Sequence, residues 1–213
     1  MPAEPTNRSL TNPHYNRHKH YFSAIESYAR TCGGIVLDIG CENKPYRDWF
    51  DVQDYVGIDI EPTEYVDFRA DAHHLPVSHE SIDHIFSTQV LEHCYNPIKV
   101  FNEIERVLKP GGTVFLTTNQ WYPLHEKPHD YFRYTRYGLK SLADDVDLVP
   151  TDIIELGSFQ VRTVIRFNKL VKAILPSQLW KPVVTSTNLA IEKLSLSLGR
   201  EDYTIVGIIA RKP

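Results

Sequence analysis

The sequence predicts an α/β fold built on a mostly parallel sheet, and three observations predict it. Apolar runs of strand length recur at 34–39, 55–60, 66–70, 84–87 and 113–118. The clearest helical pattern, 97–108, lies between two of them. It carries Val100, Ile104, Val107 and Leu108 on one stripe, Phe101 beside it and Pro97 in its first turn. Strands alternating with helices imply a parallel sheet covered by helices on both faces, and such sheets bind ligands beyond the carboxyl ends of their strands.

The remaining elements follow in order. The first dozen residues are polar and are expected to be disordered. Between Tyr15 and Arg30, the residues Tyr21, Ile25 and Tyr28 recur at helical spacing. Pro110-Gly111-Gly112 is expected to end the 97–108 helix and turn the chain into the strand TVFLTT. A strand at 152–157, a long excursion and the closing run YTIVGIIA suggest a hairpin at the sheet edge with a helical insertion. Within that excursion, amphipathic stretches at 161–175 and 183–198 are separated by Pro176 and Pro182. The expected organisation is an N-terminal arm and helix over 1–33, then one domain over 34–213 with 158–200 as insertion or lid.

Composition narrows the function classes. At 213 residues and 42% hydrophobic, the chain can bury a full core in one domain. A net charge of −4 gives no global attraction to nucleic acid, so none is expected as a partner. Three scattered cysteines, Cys32, Cys41 and Cys94, with no CxxC fit a reducing compartment. The polar start MPAEPTNRSL is unlike a secretory leader, and the apolar runs are short for a bilayer. A cytoplasmic location is expected.

The stretch VLDIGCENKPY carries the first chemical signal. A buried strand bearing Asp38 runs into Gly40, and Asp59 follows 19 residues later near the end of YVGIDI. A strand, a glycine turn and an acid about 20 residues on is how a Rossmann-type sheet holds an adenosine ribose. The glycine lets backbone approach the ligand, and the acid takes the hydroxyls. Glu42 and Lys44 stand in the stretch where a dinucleotide fingerprint carries its further glycines. The reading is therefore a nucleotide-like ligand without a pyrophosphate.

Four segments in this order, VLDIGC, YVGIDI, DAHHLP and STQVLEHCYNP leading into EIERVLKPGGTVFLTTN, resemble a class I S-adenosylmethionine-dependent methyltransferase of type 11. The resemblance covers Gly34 to about Gly138 well and the terminal strand loosely. It implies a Rossmann-like three-layer sandwich: a seven-stranded, mostly parallel sheet with an antiparallel last strand and a helical insertion before it. It also implies S-adenosyl-L-methionine as cofactor. Carried over by position, Asp38, Gly40 and Cys41 would line its methionine end. Asp59 would bind the ribose, with Ile60 against the adenine. Asp71 would accept from the adenine amino group beside the backbone of Ala72, and Ser87, Thr88 and Gln89 would lie near the methyl-bearing sulfur. The first loop departs from the family's GxGxG pattern, since Cys-Glu-Asn-Lys-Pro follows Gly40. Asn43 is suited to left-handed backbone, and Lys44 could face the cofactor carboxylate.

Methyl transfer needs nucleophile and methyl held in line with water excluded. The segment NQWYPLHEKPHDYFRYTRYG falls where the family's acceptor site lies. Within it His129, Asp130 and His125 are the candidate bases, with His129 preferred. Trp121, Tyr122, Tyr131 and Tyr134 could wall a pocket, and Arg133 or Arg136 could hold an anionic acceptor. His93 is read as a cap or support for the site floor. The run His125-Glu126-Lys127-Pro128-His129 matches HExxH, but Pro128 costs an interior helix about 3 kcal/mol or more, so no metal site is expected there.

The 158–200 region holds seven Lys/Arg against Glu192 alone. A solvated helical lid and a surface that rests on an anionic membrane are its two readings. The expected acceptor is a small molecule or a glycan- or lipid-linked intermediate, with oxygen favoured over nitrogen. Two alternatives stay open: a non-catalytic binding or scaffold protein, and, more weakly, an NAD-dependent oxidoreductase. Acceptor identity and oligomeric state lie beyond motif matching.

Overall fold

The computed structural model describes residues 9–157, 159–195 and 203–213. Seven strands form one sheet in the order β3-β2-β1-β4-β5-β7-β6. They are β1 (Ile35–Ile39), β2 (Asp54–Asp59), β3 (Phe68–Arg69), β4 (Ile82–Thr88), β5 (Leu108–Asn119), β6 (Val149–Leu156) and β7 (Ile205–Arg211). The pairs β1–β2, β1–β4, β2–β3 and β4–β5 are parallel, whereas β7 runs antiparallel to β5 from Thr113↔Arg211 to Asn119↔Ile205. The expected sheet, with its antiparallel last strand, is the one observed. The parallel strands all end on one side, where Gly40, Ile60, Gln89 and Gln120 follow them.

The chain divides into two compact units, Met1–Ile25 with Leu156–Thr204, and Glu26–Glu155 with Ile205–Pro213. In the second unit the core is centred on the sheet: Val36, Leu37, Ile85, Phe86, Phe115 and Ile208 are fully buried. Phe86 joins Phe50 and Phe115, with ring centroids 5.2 and 5.4 Å apart. Helix α2 (Pro97–Val107) begins as its sequence demands, with the Asn96 side chain accepting from the Lys99 amide and Pro97 in the first turn. Its stripe of Val100, Phe101, Ile104 and Val107 is buried.

Two local expectations are corrected here. α2 ends at Val107: Leu108 caps it, its amide donating to Ile104 O, and is already extended and paired with Ile82. Pro110-Gly111-Gly112 then bulges out of β5 before pairing resumes at His84↔Thr113. The Gly111 amide donates to Lys212 O, and the Lys212 amide donates to Gly112 O. The bulge thus clasps the end of β7. Strand–helix alternation also holds only in part. Among the described residues, the connections that link β1, β2, β3 and β4 hold a single 3-10 turn, Arg47–Trp49, and loops. Those connections contain Pro45, Pro62 and Pro76 among Asp, Asn and Ser, which favour turns over helix. Helix α3 (Arg136–Asp144), capped by Thr135, connects β5 to β6.

The first unit contains the start of α1 (Tyr15–Ala29), α4 (Phe159–Ile174) and α5 (Ser177–Ser195). Pro182 lies inside α5 rather than separating two helices, a third departure from expectation. The end of the 183–198 stretch lies outside the described residues, as do residues 1–8 of the expected disordered start. Val161, Ile165 and Ile191 form an apolar cluster. Beside it is a buried amide network. Asn188 donates to Leu10 O and Asn12 O, and its Oδ1 accepts from Asn16 and Asn168. No helix among the described residues is long and apolar enough to cross a membrane.

Candidate active site

The loop after β1 is built around Gly40. Its φ is +72°, and a Cβ there would lie 2.2 Å from Val90 Cγ2, so conformation and space both require glycine. The Gly40 and Cys41 amides both donate to Ile58 O, at 2.8 and 3.1 Å. Glu42 and Lys44, which replace glycines of the usual pattern, adopt left-handed φ values of 47° and 49°. The loop therefore keeps a glycine-type backbone on non-glycine residues. Asn43 is not among the left-handed residues, contrary to expectation. Lys44 does not point along the loop for a cofactor carboxylate. Its ammonium pairs with Asp67, which also accepts the Gly57 amide at 2.7 Å.

Three acids near the strand ends have distinct environments. Asp38 on β1 is buried and accepts from the Tyr55 hydroxyl at 2.6 Å. Burial pushes its carboxyl up to about 7, against the opposing effects of Tyr55 and Lys44. Asp59, at the end of β2, accepts the Glu42 amide on Oδ2 at 2.9 Å and the Glu61 amide on Oδ1 at 3.0 Å. Each oxygen still has acceptor capacity, as a hydroxyl-binding carboxylate requires. Asp71, after β3, takes the His73 amide and imidazole on Oδ1 at 2.9 and 2.6 Å. Burial raises its carboxyl, but these His73 donors outweigh it and hold Asp71 below the usual range.

His73 Nε2 accepts the Asn96 amide at 3.2 Å, so the ring is the neutral Nδ1–H tautomer and its bond to Asp71 is not an ion pair. The ring stacks on Tyr95 with centroids 4.2 Å apart. Ala72 is buried between these groups, and Ile60 is 56% exposed just past β2. Cys41 is buried with its sulfur against Gly57, and burial raises its thiol to about 12, so it is neutral. Ser87 donates to Ile39 O at 3.2 Å, tying β4 to β1. Thr88 ends β4 in register with Thr117, and Gln89 takes a left-handed φ of 60° while its amide donates to Thr117 O.

A second group lies past β4 and β5. Glu92 is fully buried and accepts Thr118 Oγ1 and Asn119 Nδ2, both at 2.6 Å. Burial raises its carboxyl, and the Thr118 hydroxyl together with His93 and His125 opposes the shift. Its backbone carbonyl receives the Tyr131 amide at 2.9 Å, fixing the returning loop. His93 Nδ1 lies 2.6 Å from His129 O, which can only accept, so His93 donates there. The His93 and His125 rings meet edge to face at 4.7 Å, and Tyr122 packs on His125 at 4.9 Å.

Asp130 and Arg133 form a bidentate pair at 2.6 and 2.8 Å, with the Asp130 side chain only 2% exposed. The guanidinium holds the Asp130 carboxyl far below the ordinary range. Arg133 also donates to Tyr122 O, Pro123 O and Phe132 O, so it braces this loop. His129 is exposed, with Nδ1 3.0 Å from Tyr131 Oη. Trp121, Tyr122 and Tyr131 are exposed aromatics, whereas Tyr134 is buried with its hydroxyl directed at Leu91 O. Arg136 pairs with Glu155 at 2.9 Å. The HEKPH run is not helical, as Glu126 at φ 49° makes plain. Sequence reasoning missed Glu92 and Tyr55 as site residues. An acid four residues past the end of β4, in QVLEH, was the available signal for Glu92.

The sheet order, the antiparallel β7 and the Gly40–Asp59 arrangement define the Rossmann-like fold of class I methyltransferases. Residues 37–116 match the methyltransferase domain family of type 11. Among curated proteins, malonyl-[acyl-carrier protein] O-methyltransferase of Marinomonas sp. is 39% identical over 80 residues, covering 33% of this chain and 29% of that protein. The chain spans between about a tenth and two fifths of the length of the curated relatives it matches. Among solved structures, the [4+2]-cyclase SpnF superposes with a TM-score of 0.61 at 19% identity, covering 90% of this chain and 81% of that one. Phosphoethanolamine N-methyltransferase 2 of Haemonchus contortus, bound to S-adenosylhomocysteine, gives 0.56 at 18% identity, with 85% and 49% covered. At these identities the likeness shows the fold, and a cyclase among the neighbours shows that the fold alone does not name a reaction.

Proposed function

We propose that this chain transfers a methyl group from S-adenosyl-L-methionine to an oxygen of a small-molecule or glycan- or lipid-linked acceptor. The observation that carries the reading is the row of Gly40, Asp59 and Asp71 after β1, β2 and β3, matched in order to a methyltransferase-family segment. In this reading Asp59 takes the ribose hydroxyls and exposed Ile60 covers one adenine face. Asp71 Oδ2, outside the His73 bonds, takes the exocyclic amine next to the Ala72 backbone. Gly40 and its loop admit the methionine end over Asp38 and Cys41, and Ser87, Thr88 and Gln89 border the sulfonium. His129 is the proposed base, with Trp121, Tyr122 and Tyr131 around the acceptor. Asp130, held ionised by Arg133, serves by fixing the loop through the His125 amide.

Calorimetric titration with S-adenosylhomocysteine tests the cofactor. Saturable binding competed by S-adenosylmethionine is expected, and no heat at millimolar ligand would overturn the reading. Transfer of labelled methyl to fractionated small molecules and glycolipids then identifies the acceptor.

A lipid-linked acceptor is favoured by α4, where Phe167, Leu170 and Ile174 are 46%, 58% and 68% exposed along one helical face. Arg166, Lys169 and Lys172 lie on the same helix, the pattern of an interfacial helix on an anionic surface. Flotation with anionic vesicles is expected for the parent and lost in Phe167→Ser with Leu170→Ser and Ile174→Ser. Equal flotation, or none for either, excludes that acceptor class.

A further inference from the structure

We propose that Glu92, His93 and His125 bind a divalent first-row transition-metal ion at the carboxyl ends of β4 and β5. One ligand atom from each residue lies within 4.8 Å of those of the other two. Tetrahedral coordination at about 2.1 Å sets ligand atoms roughly 3.4 Å apart, so rotation of two half-buried imidazoles closes the set without moving a strand.

Three observations beyond proximity point to a cation. Glu92 is buried, and among the described residues no Lys or Arg comes within salt-bridge distance of it. A buried carboxylate without a cationic partner is costly unless a metal or a proton neutralises it. His93 donates Nδ1–H to His129 O, which fixes the tautomer and leaves Nε2, 3.6 Å from Glu126 Oε2, as its ligand atom. His125 Nδ1 is buried without a hydrogen bond; Asp130 Oδ2 lies 3.3 Å away but out of line. The carbonyl behind His93 is an outer-shell partner of the kind that orients an imidazole ligand. Thr118 and Asn119 do the same for Glu92.

Two imidazoles and one carboxylate suit Zn²⁺, Co²⁺, Mn²⁺ or Fe²⁺ and leave positions open for further ligands. The set shares only His125 with the HEKPH run, so it owes nothing to the protease-like motif.

The role of the ion rests on the methyl-transfer reading, although its binding does not. An acceptor hydroxyl on an open position becomes more acidic. Its proton passes to the His129 imidazole, its oxygen bonds the methyl carbon, and the methyl–sulfur bond breaks to leave a neutral thioether.

The test is a Co²⁺ titration of the chelator-treated full chain, followed by visible absorption and calorimetry, with S-adenosylhomocysteine binding measured on the same samples. One equivalent with ligand-field bands of low coordination number is expected. His125→Ala and His93→Asn, whose amide can still donate to His129 O, are expected to weaken Co²⁺ by at least the roughly 10- to 100-fold that even outer-shell changes cause. Their S-adenosylhomocysteine affinity is expected to stay at the parent value. His79→Ala, and His14→Ala with His20→Ala, are expected to leave Co²⁺ binding unchanged. No binding by the parent, or binding lost on removing His14 and His20 and kept in His125→Ala, overturns the site. Co²⁺ binding with no S-adenosylhomocysteine binding keeps the metal site and overturns the methyl-transfer reading instead.

Discussion

Asp59 Oδ2 accepts the Glu42 amide at 2.9 Å, so the acid at the end of β2 braces the loop that follows β1. Glu42 sits at φ 47° and Lys44 at 49°, and Asp59 helps hold this left-handed course in place of glycine. Asp59→Ala is expected to cost about 1–2 kcal/mol of stability by releasing the Glu42 and Glu61 amides. It is also expected to weaken S-adenosylhomocysteine at least tenfold in calorimetry. Asp59→Asn retains one acceptor and should fall between. Parent-like affinity in Asp59→Ala would remove Asp59 from the cofactor site.

Gly40→Ala forces a Cβ to 2.2 Å from Val90 Cγ2 at a φ of +72°. Overpacking and left-handed strain together predict a loss of about 2–4 kcal/mol in urea unfolding. Adding Val90→Ala should recover the steric part and leave the conformational part. An unchanged midpoint in Gly40→Ala would show that the loop relaxes freely.

Asp38 gives a pH signature. Its folded carboxyl titrates near 7, above its ordinary value, so the folded state binds a proton that the unfolded chain has released. The stability this confers is complete below about pH 4 and is lost as pH rises through about 7. Asp38→Asn removes the titration. Its stability relative to the parent is therefore expected to rise between about pH 4 and about pH 7, by roughly 2–4 kcal/mol. The constant cost of the new amide does not affect that slope. Parallel profiles would show that Asp38 titrates as an ordinary carboxylate.

Arg133→Ala strands the Asp130 carboxylate, which is 2% exposed, while Arg133 itself is 25% exposed. A loss of about 2 kcal/mol is expected, between the values for surface and buried pairs. Arg133→Lys should recover only part, because an ammonium cannot reproduce the bidentate geometry. Thermal unfolding checks both, and a neutral Arg133→Ala would show that the loop does not depend on this pair.

Legibility in the sequence followed the range of the interactions. Gly40, the α2 stripe and the Asn96-Pro97 start act within one turn or one helix, so residue type and spacing reveal them. The acids at 38, 59 and 71 were legible because strand ends place them and a strand end can be read from apolar runs. The amides of Asn16, Asn168 and Asn188 carry no such local sign. Each is polar and unremarkable in its own helix, and their burial depends on partners up to 178 residues away.

The sequence by itself determined the order of strands and turns, the glycine requirement at Gly40 and the supply of acids along the sheet edge, because these are local consequences of backbone sterics and hydrophobic periodicity. Only the tertiary structure decided which side chains those acids meet. Tyr55 turns toward Asp38, Arg133 commits itself to Asp130, and Glu92 joins His93 and His125. The first and last of these bring together groups from different strands and loops, and no period in the chain encodes the distance between them; Asp130 and Arg133 share one loop, three residues apart.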